Sequence, residues 1–183
     1  MKTANIKRMV GIALMSVIVV VLQLVGSFIR FGPVSVSLVL IPIVVGAAMY
    51  GPSAGAVLGG VFGIVVLTQP DTAGFFAISV VGTVLTVMGK GILAGLFSGL
   101  VYRALSNKSQ VLGVVLAAII CPVLNTGLFA LGSRLFFWDY ISSMGGAVFL
   151  FTVMIGFNFF AELGANVICA PVILRILHAV KHK

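Results

Sequence analysis

Two ionisable side chains stand in the middle of long apolar runs: Lys90, within Val87-Met88-Gly89-Lys90-Gly91, and Glu162, within the last hydrophobic stretch. In hydrocarbon each such group costs about 2.5–3.5 kcal/mol on insertion scales, so it must be paired, hydrated or used. Two readings follow: a structural ion pair that locks helices together, or a cavity whose ligand engages one or both charges. Asn158, Glu162 and Asn166 recur at i, i+4 and i+8, which puts three hydrogen-bonding groups on one helical stripe. With Asn125, Thr126 and Lys90 they describe a polar lining shared by the last three helices, and such a lining needs a polar occupant: water, a ligand or other side chains. Pro122 removes a backbone donor one turn before Asn125, so the segment Cys121-Pro122-Val123-Leu124-Asn125-Thr126-Gly127 is expected to kink its helix. The freed carbonyls could serve a ligand or simply bend the helix.

A second group of candidates falls near the outer ends of the apolar runs. Arg30, Asp71, Arg134 and Asp139 are accompanied by Phe31, Phe75, Phe76, Phe136, Phe137, Trp138 and Tyr140. Aromatic residues at this depth form an interfacial belt; the Pro- and Gly-bearing loops 29–35 and 69–76 could also supply a movable apolar cover for a buried site. Catalysis has no foothold. The chain lacks a P-loop, an HExxH and a DxD pair, and its three carboxylates leave little acid/base chemistry to arrange. Cys121 and Cys169 lie inside apolar segments without metal-ligand spacing, which makes them buried small residues, and no cofactor or metal is implied.

These side chains need spanning helices to hold them. The 183 residues are 61% hydrophobic and 8% charged, with a mean hydropathy of +1.30, whereas soluble domains carry about 25% charged residues. The pattern predicts an all-α membrane protein, one domain over residues 1–183, with six spans at about 9–29, 35–50, 53–68, 77–104, 111–133 and 147–178. The second and third share the break Tyr50-Gly51-Pro52-Ser53 and are read as two tightly turned helices rather than one dipping hairpin. Gly55, Gly59 and Gly63, and again Gly91, Gly95 and Gly99, recur every four residues and give smooth faces for close helix approach. The net charge of +8 is scattered in ones and twos beside the spans, which is a topology signal rather than a nucleic-acid footprint. Lys2, Lys7 and Arg8, then Arg103 and Lys108, then Arg175, Lys181 and Lys183 fall on one side of a six-span layout, so both termini are expected in the cytoplasm. The run Met9 to Ile29 is too long for a signal-peptide core and is expected to remain as the first span.

The ordered segments Met49-Tyr50-Gly51-Pro52-Ser53-Ala54-Gly55-Ala56, Gly89-Lys90-Gly91-Ile92-Leu93-Ala94-Gly95-Leu96, Cys121-Pro122-Val123-Leu124-Asn125-Thr126-Gly127 and Asn158-Phe159-Phe160-Ala161-Glu162-Leu163 resemble the S components of energy-coupling-factor (ECF) transporters. They look closest to the branch that includes pantothenate and hydroxymethylpyrimidine-like or pyridoxine-type transporters. The resemblance implies a six-helix, substrate-binding subunit of an ABC importer in the bacterial plasma membrane. It further implies capture of a small water-soluble vitamin near the outer face, with the loop after the first span as a gate. Its implied partners are a transmembrane coupling protein and two cytoplasmic ATPases. Ligand contacts carried over residue by residue fall on Lys90, Asn125, Asn158 and Glu162, with Arg30 and Asp71 from the outer loops. The family's alanine-xxx-alanine face on the first helix is replaced here by Gly11, Ala13 and Ser16 without that spacing, which leaves the docking register open.

Pantothenate suits a lysine for its carboxylate and a glutamate with asparagines for its hydroxyls and amide. A mutually paired Lys90 and Glu162 would suit riboflavin, a pyridoxine-like compound or a nucleoside instead. A self-contained proton-coupled transporter working through Glu162, and a non-transporting structural protein, are the readings from other classes.

Overall fold

The computed structural model describes residues 2–26, 30–31, 34–35 and 38–181. An apolar chain that must satisfy its own backbone in hydrocarbon becomes helical, and the described residues do so almost throughout. The elements are α1 (Lys2–Gly26), a two-residue hairpin β1 (Arg30–Phe31) and β2 (Val34–Ser35), α2 (Leu40–Tyr50), α3 (Pro52–Leu67), α4 (Pro70–Ile78), α5 (Val80–Leu105), α6 (Gln110–Phe136), α7 (Trp138–Ser143), α8 (Gly146–Phe149), a π-helical stretch Leu150–Gly156, and α9 (Phe157–Lys181). In the hairpin Arg30 pairs with Ser35 and Phe31 with Val34.

Four helices, α1, α5, α6 and α9, are long and apolar enough to cross a membrane. A fifth crossing is available if α3 and α4 are one broken span, bent by 82°. The expected second span is the departure. Its helix starts only at Leu40 and has 11 residues, a length of about 16 Å at 1.5 Å per residue, well short of about 30 Å of hydrocarbon. Its sequence is apolar on every side, and Leu40, Pro42, Ile43, Val44, Val45, Gly46 and Ala47 are all buried. It therefore forms the centre of the bundle, packed against α1, α3, α5, α6 and α9, which explains why its hydrophobicity has no period.

The Tyr50-Gly51-Pro52-Ser53 break is a tight turn between two helices. Gly51 has φ +91°, a conformation that side-chain-bearing residues rarely adopt, and Pro52 fits the first turn of α3, where its missing N–H costs nothing. Arg8 clasps this turn to α1: Nη2 donates to Ser53 Oγ at 2.7 Å and Nε to the Tyr50 carbonyl at 3.2 Å. The segment 69–76, expected as a loop, is helical: Pro70 opens α4, and Ser79 caps α5 by accepting from the Gly82 N–H at 3.1 Å. Residues 134–146 likewise contain the end of α6 and the short α7, and the sixth expected span begins with α8 and the π-helical stretch. Pro122 sits inside an α6 that remains helical on both sides of it.

The tightest packing joins α3 to α5. A Cβ on Gly59 would run into the carbonyl of Gly91, and one on Gly55 into that of Gly95, so the two backbones touch through paired glycines. This contact aligns α3 and α5 and thereby sets where Phe62 of α3 stands relative to Lys90 of α5. Gly60, one residue on, meets nothing nearer than Ile92 at 3.6 Å. Gly59→Val is accordingly expected to destabilise the detergent-purified protein by about 1–3 kcal/mol through overpacking, while Gly60→Ala leaves its melting temperature unchanged. Equal melting of the two variants would show that the glycine contact does not organise the bundle.

Candidate functional site

Three helices bring polar groups into the interior of the bundle. On α5, Thr86 and Lys90 occupy one stripe at i and i+4; on α6, Asn125, Phe129 and Ser133 do so at i, i+4 and i+8; α9 contributes Glu162 and Asn166. Thr86, Asn125, Ser133, Glu162 and Asn166 are all buried. Asn125 Nδ2 donates to Glu162 Oε2 at 3.4 Å, and Asn166 Nδ2 donates to the Glu162 carbonyl at 2.9 Å. Because a carboxylate only accepts, the first bond fixes which way the Asn125 amide points: its NH2 toward Glu162, its oxygen away.

The Lys90 ammonium lies over two aromatic faces, 5.0 Å from the centroid of Phe129 and 5.6 Å from that of Phe62. Glu162 is close enough to act on it electrostatically. Among the described residues Lys90 donates no hydrogen bond. Each cation–π contact contributes about 0.5–2 kcal/mol, against several kcal/mol for taking the ion out of water. The rings cannot hold the charge alone, so the opposite charge of Glu162 is required.

Four further atoms in this wall are buried without a hydrogen-bond partner among the described residues: Thr86 Oγ1, Ser133 Oγ, Asn125 Oδ1 and Asn166 Oδ1. Each costs about 1–3 kcal/mol when left unsatisfied. Above them lies an aromatic cap. Phe75 of α4 packs edge-on against Phe129, Phe137 and Tyr140, with centroids 6.0, 5.0 and 6.4 Å away. Phe129 thus touches both the cap and the ammonium. On the flank, a cleft of about 210 Å³ opens between α5 and α6, with Thr86, Gly89, Lys90 and Gly132 among its lining and Leu85, Leu93, Leu128, Leu131, Leu135 and Phe136 as its walls.

α4 is itself anchored. Gln23, in the last turn of α1, and Gln69, at the elbow between α3 and α4, are both buried. Gln23 Nε2 donates to Gln69 Oε1 at 3.0 Å and Gln69 Nε2 to the Gln23 carbonyl at 3.3 Å. Thr72 Oγ1 donates to the Val66 carbonyl at 2.7 Å, pinning the first turn of α4 across the bend.

The structure therefore brings Lys90, Asn125 and Glu162 together, and Asn166 extends the group one turn toward the C-terminal end of α9. Asp71 stands apart from this wall, in the first turn of α4 beside the elbow. The side chains of Asn158 and Arg30 lie outside the described residues. Phe62, Phe129, Thr86, Ser133, Gln23 and Gln69 were not read from the sequence. Helical spacing from Lys90 and Asn125 could have found Thr86, Phe129 and Ser133; nothing local marks Phe62 or the glutamine pair. Arg134 stacks on Trp138 at 4.4 Å, an interfacial contact.

The family model described as ECF transporter, substrate-specific component, matches residues 7–174. No curated protein and no solved structure matches the chain.

If the Lys90 and Glu162 charges stabilise one another inside the bundle, removing either one strands the other. Lys90→Met and Glu162→Gln should each lower thermal stability in detergent, and the double variant should recover part of the loss, with a coupling energy of at least about 1 kcal/mol. Additive losses would show that the two charges do not interact.

Proposed function

We propose, from the premise that the chain belongs to the ECF transporter substrate-specific component family, that it captures a small water-soluble metabolite in the Lys90, Asn125 and Glu162 wall of its bundle. Family membership makes it a multi-pass, substrate-binding transport subunit that works with ECF membrane and ATPase modules, not an enzyme. What supports the location is one observation: a lysine, a glutamate and an asparagine from three helices converge inside a lipid-embedded interior, with buried amide and hydroxyl oxygens beside them that lack partners among the described residues. Polar groups gathered at such cost are expected to serve a polar guest.

In this reading the aromatic cap around Phe75 closes the outer side of the site, and α4 carries it. The proposed ligand contacts also include Asn158, four residues before Glu162 in the sequence, and Arg30 and Asp71 at the mouth. Pantothenate is the first vitamin to test, because its carboxylate suits Lys90 while its hydroxyls and amide suit Glu162 and Asn125. Riboflavin, a pyridoxine-like compound and a nucleoside complete the panel. The proposed topology keeps six passes, with the short α2 traversing only the protein interior of the bundle rather than facing lipid, both termini in the bacterial cytoplasm and the mouth outside.

Two measurements check this. Reporter fusions at each terminus should both read as cytoplasmic; opposite readings would remove one pass. Cells producing the chain with an ECF coupling module should accumulate the ligand in a manner lost with an ATPase-dead module and retained with an uncoupler. Uptake that needs no ATPase and collapses with the uncoupler would assign the work to Glu162 as a proton carrier instead.

A further inference from the structure

The polar wall has a direction. Lys90 and the hydroxyls of Thr86 and Ser133 occupy its outer level, set by the seating of Thr86 against Gly132 and of the ammonium over Phe129. Glu162 with Asn125 lies about one helical turn further in, and Asn166 one turn beyond that. The outer level can present only hydrogen-bond donors to an anion: three N–H groups of the ammonium and two hydroxyl protons that no described residue takes up. The inner level presents acceptors: the Glu162 carboxylate and the Asn125 oxygen on the far side of the amide from it, with the Asn166 oxygen a turn along α9. Of the N–H groups at that level, one of Asn125 is given to Glu162 Oε2 and one of Asn166 to the Glu162 carbonyl, so the acceptors outnumber the N–H groups left over.

The two levels carry opposite charges that sum to zero. A monoanion seated at Lys90 would leave a net negative charge enclosed by apolar helices, and a cation seated at Glu162 a net positive one. An electroneutral guest with its own charges in the matching order leaves none, and both of its ends gain charge-assisted hydrogen bonds. Resting on the reading that this wall binds the transported metabolite, we propose that the substrate is a compact zwitterion. Its carboxylate points outward to Lys90, Thr86 and Ser133, and its ammonium or other protonated nitrogen points inward to Glu162 and Asn125. This is finer than the choice among vitamins, and it ranks a zwitterion above pantothenate, which is a monoanion.

The test offers the detergent-purified protein an equimolar mixture of phenylalanine, 3-phenylpropionate and phenethylamine, which share a skeleton and differ in charge, together with the common amino acids, pantothenate, riboflavin, pyridoxine and uridine. Native mass spectrometry reads what is retained. The wild type should retain a zwitterion, and Glu162→Gln should shift retention toward monoanions. Thr86→Val and Ser133→Ala should each weaken the zwitterion about tenfold while leaving the melting temperature of the ligand-free protein no lower than that of the wild type. Retention of a monoanion or an uncharged compound by the wild type would overturn the zwitterion and leave the transport reading standing. So would hydroxyl variants that bind as the wild type does. If the wild type retains nothing and drives no uptake of the mixture with an ECF coupling module, the transport reading itself is overturned, and the zwitterion with it.

Discussion

An ammonium group inside hydrocarbon sets the terms for the rest of this molecule. Lys90 is held by two aromatic faces and by the field of Glu162, and each of these depends on a different helix being in register. Phe62 requires α3 against α5, Phe129 requires α6 against α5, and Glu162 requires α9 against α6. The paired glycines at Gly55, Gly59, Gly91 and Gly95 meet the first demand by letting two backbones touch. Without a hydrophobic force between helices in lipid, such close contact is what aligns them.

The same side chain is linked to the aromatic cap. Phe129 contacts Lys90 on one side and Phe75 on the other, and Phe75 reaches Phe137 and Tyr140. Phe75 belongs to α4, whose base is tied to α1 by the Gln23 and Gln69 amides. A short chain of direct contacts therefore joins the ammonium to α4 and α7. Buried amides that bond only to each other are directional, so they fix the 82° elbow more specifically than apolar packing would.

Burial of α2 on every side completes the architecture. A helix of 11 residues that contacts five others cannot be placed by its own amphipathicity, and its role is to fill the space that the longer helices enclose. The Gly51 turn lies close to the N-terminal part of α1, where Arg8 holds it.

Apolar spanning helices, the Gly51 turn and the convergence of Lys90, Asn125 and Glu162 were legible in the sequence. Each depends on short-range chemistry: the cost of a charge in an apolar run, the φ preference of glycine, or the stacking of residues four apart on one helix. The tertiary structure alone decided what these groups face. Phe62 sits 28 residues from Lys90, and Gln23 sits 46 from Gln69, and no periodicity within one helix reports a contact made by another. It also decided that 69–76 is a helix carrying part of the cap, and that the second apolar run is a central filler only 11 residues long. Hydropathy reports how much a segment avoids water but not whether lipid or protein surrounds it, because both environments are equally apolar to the side chains involved.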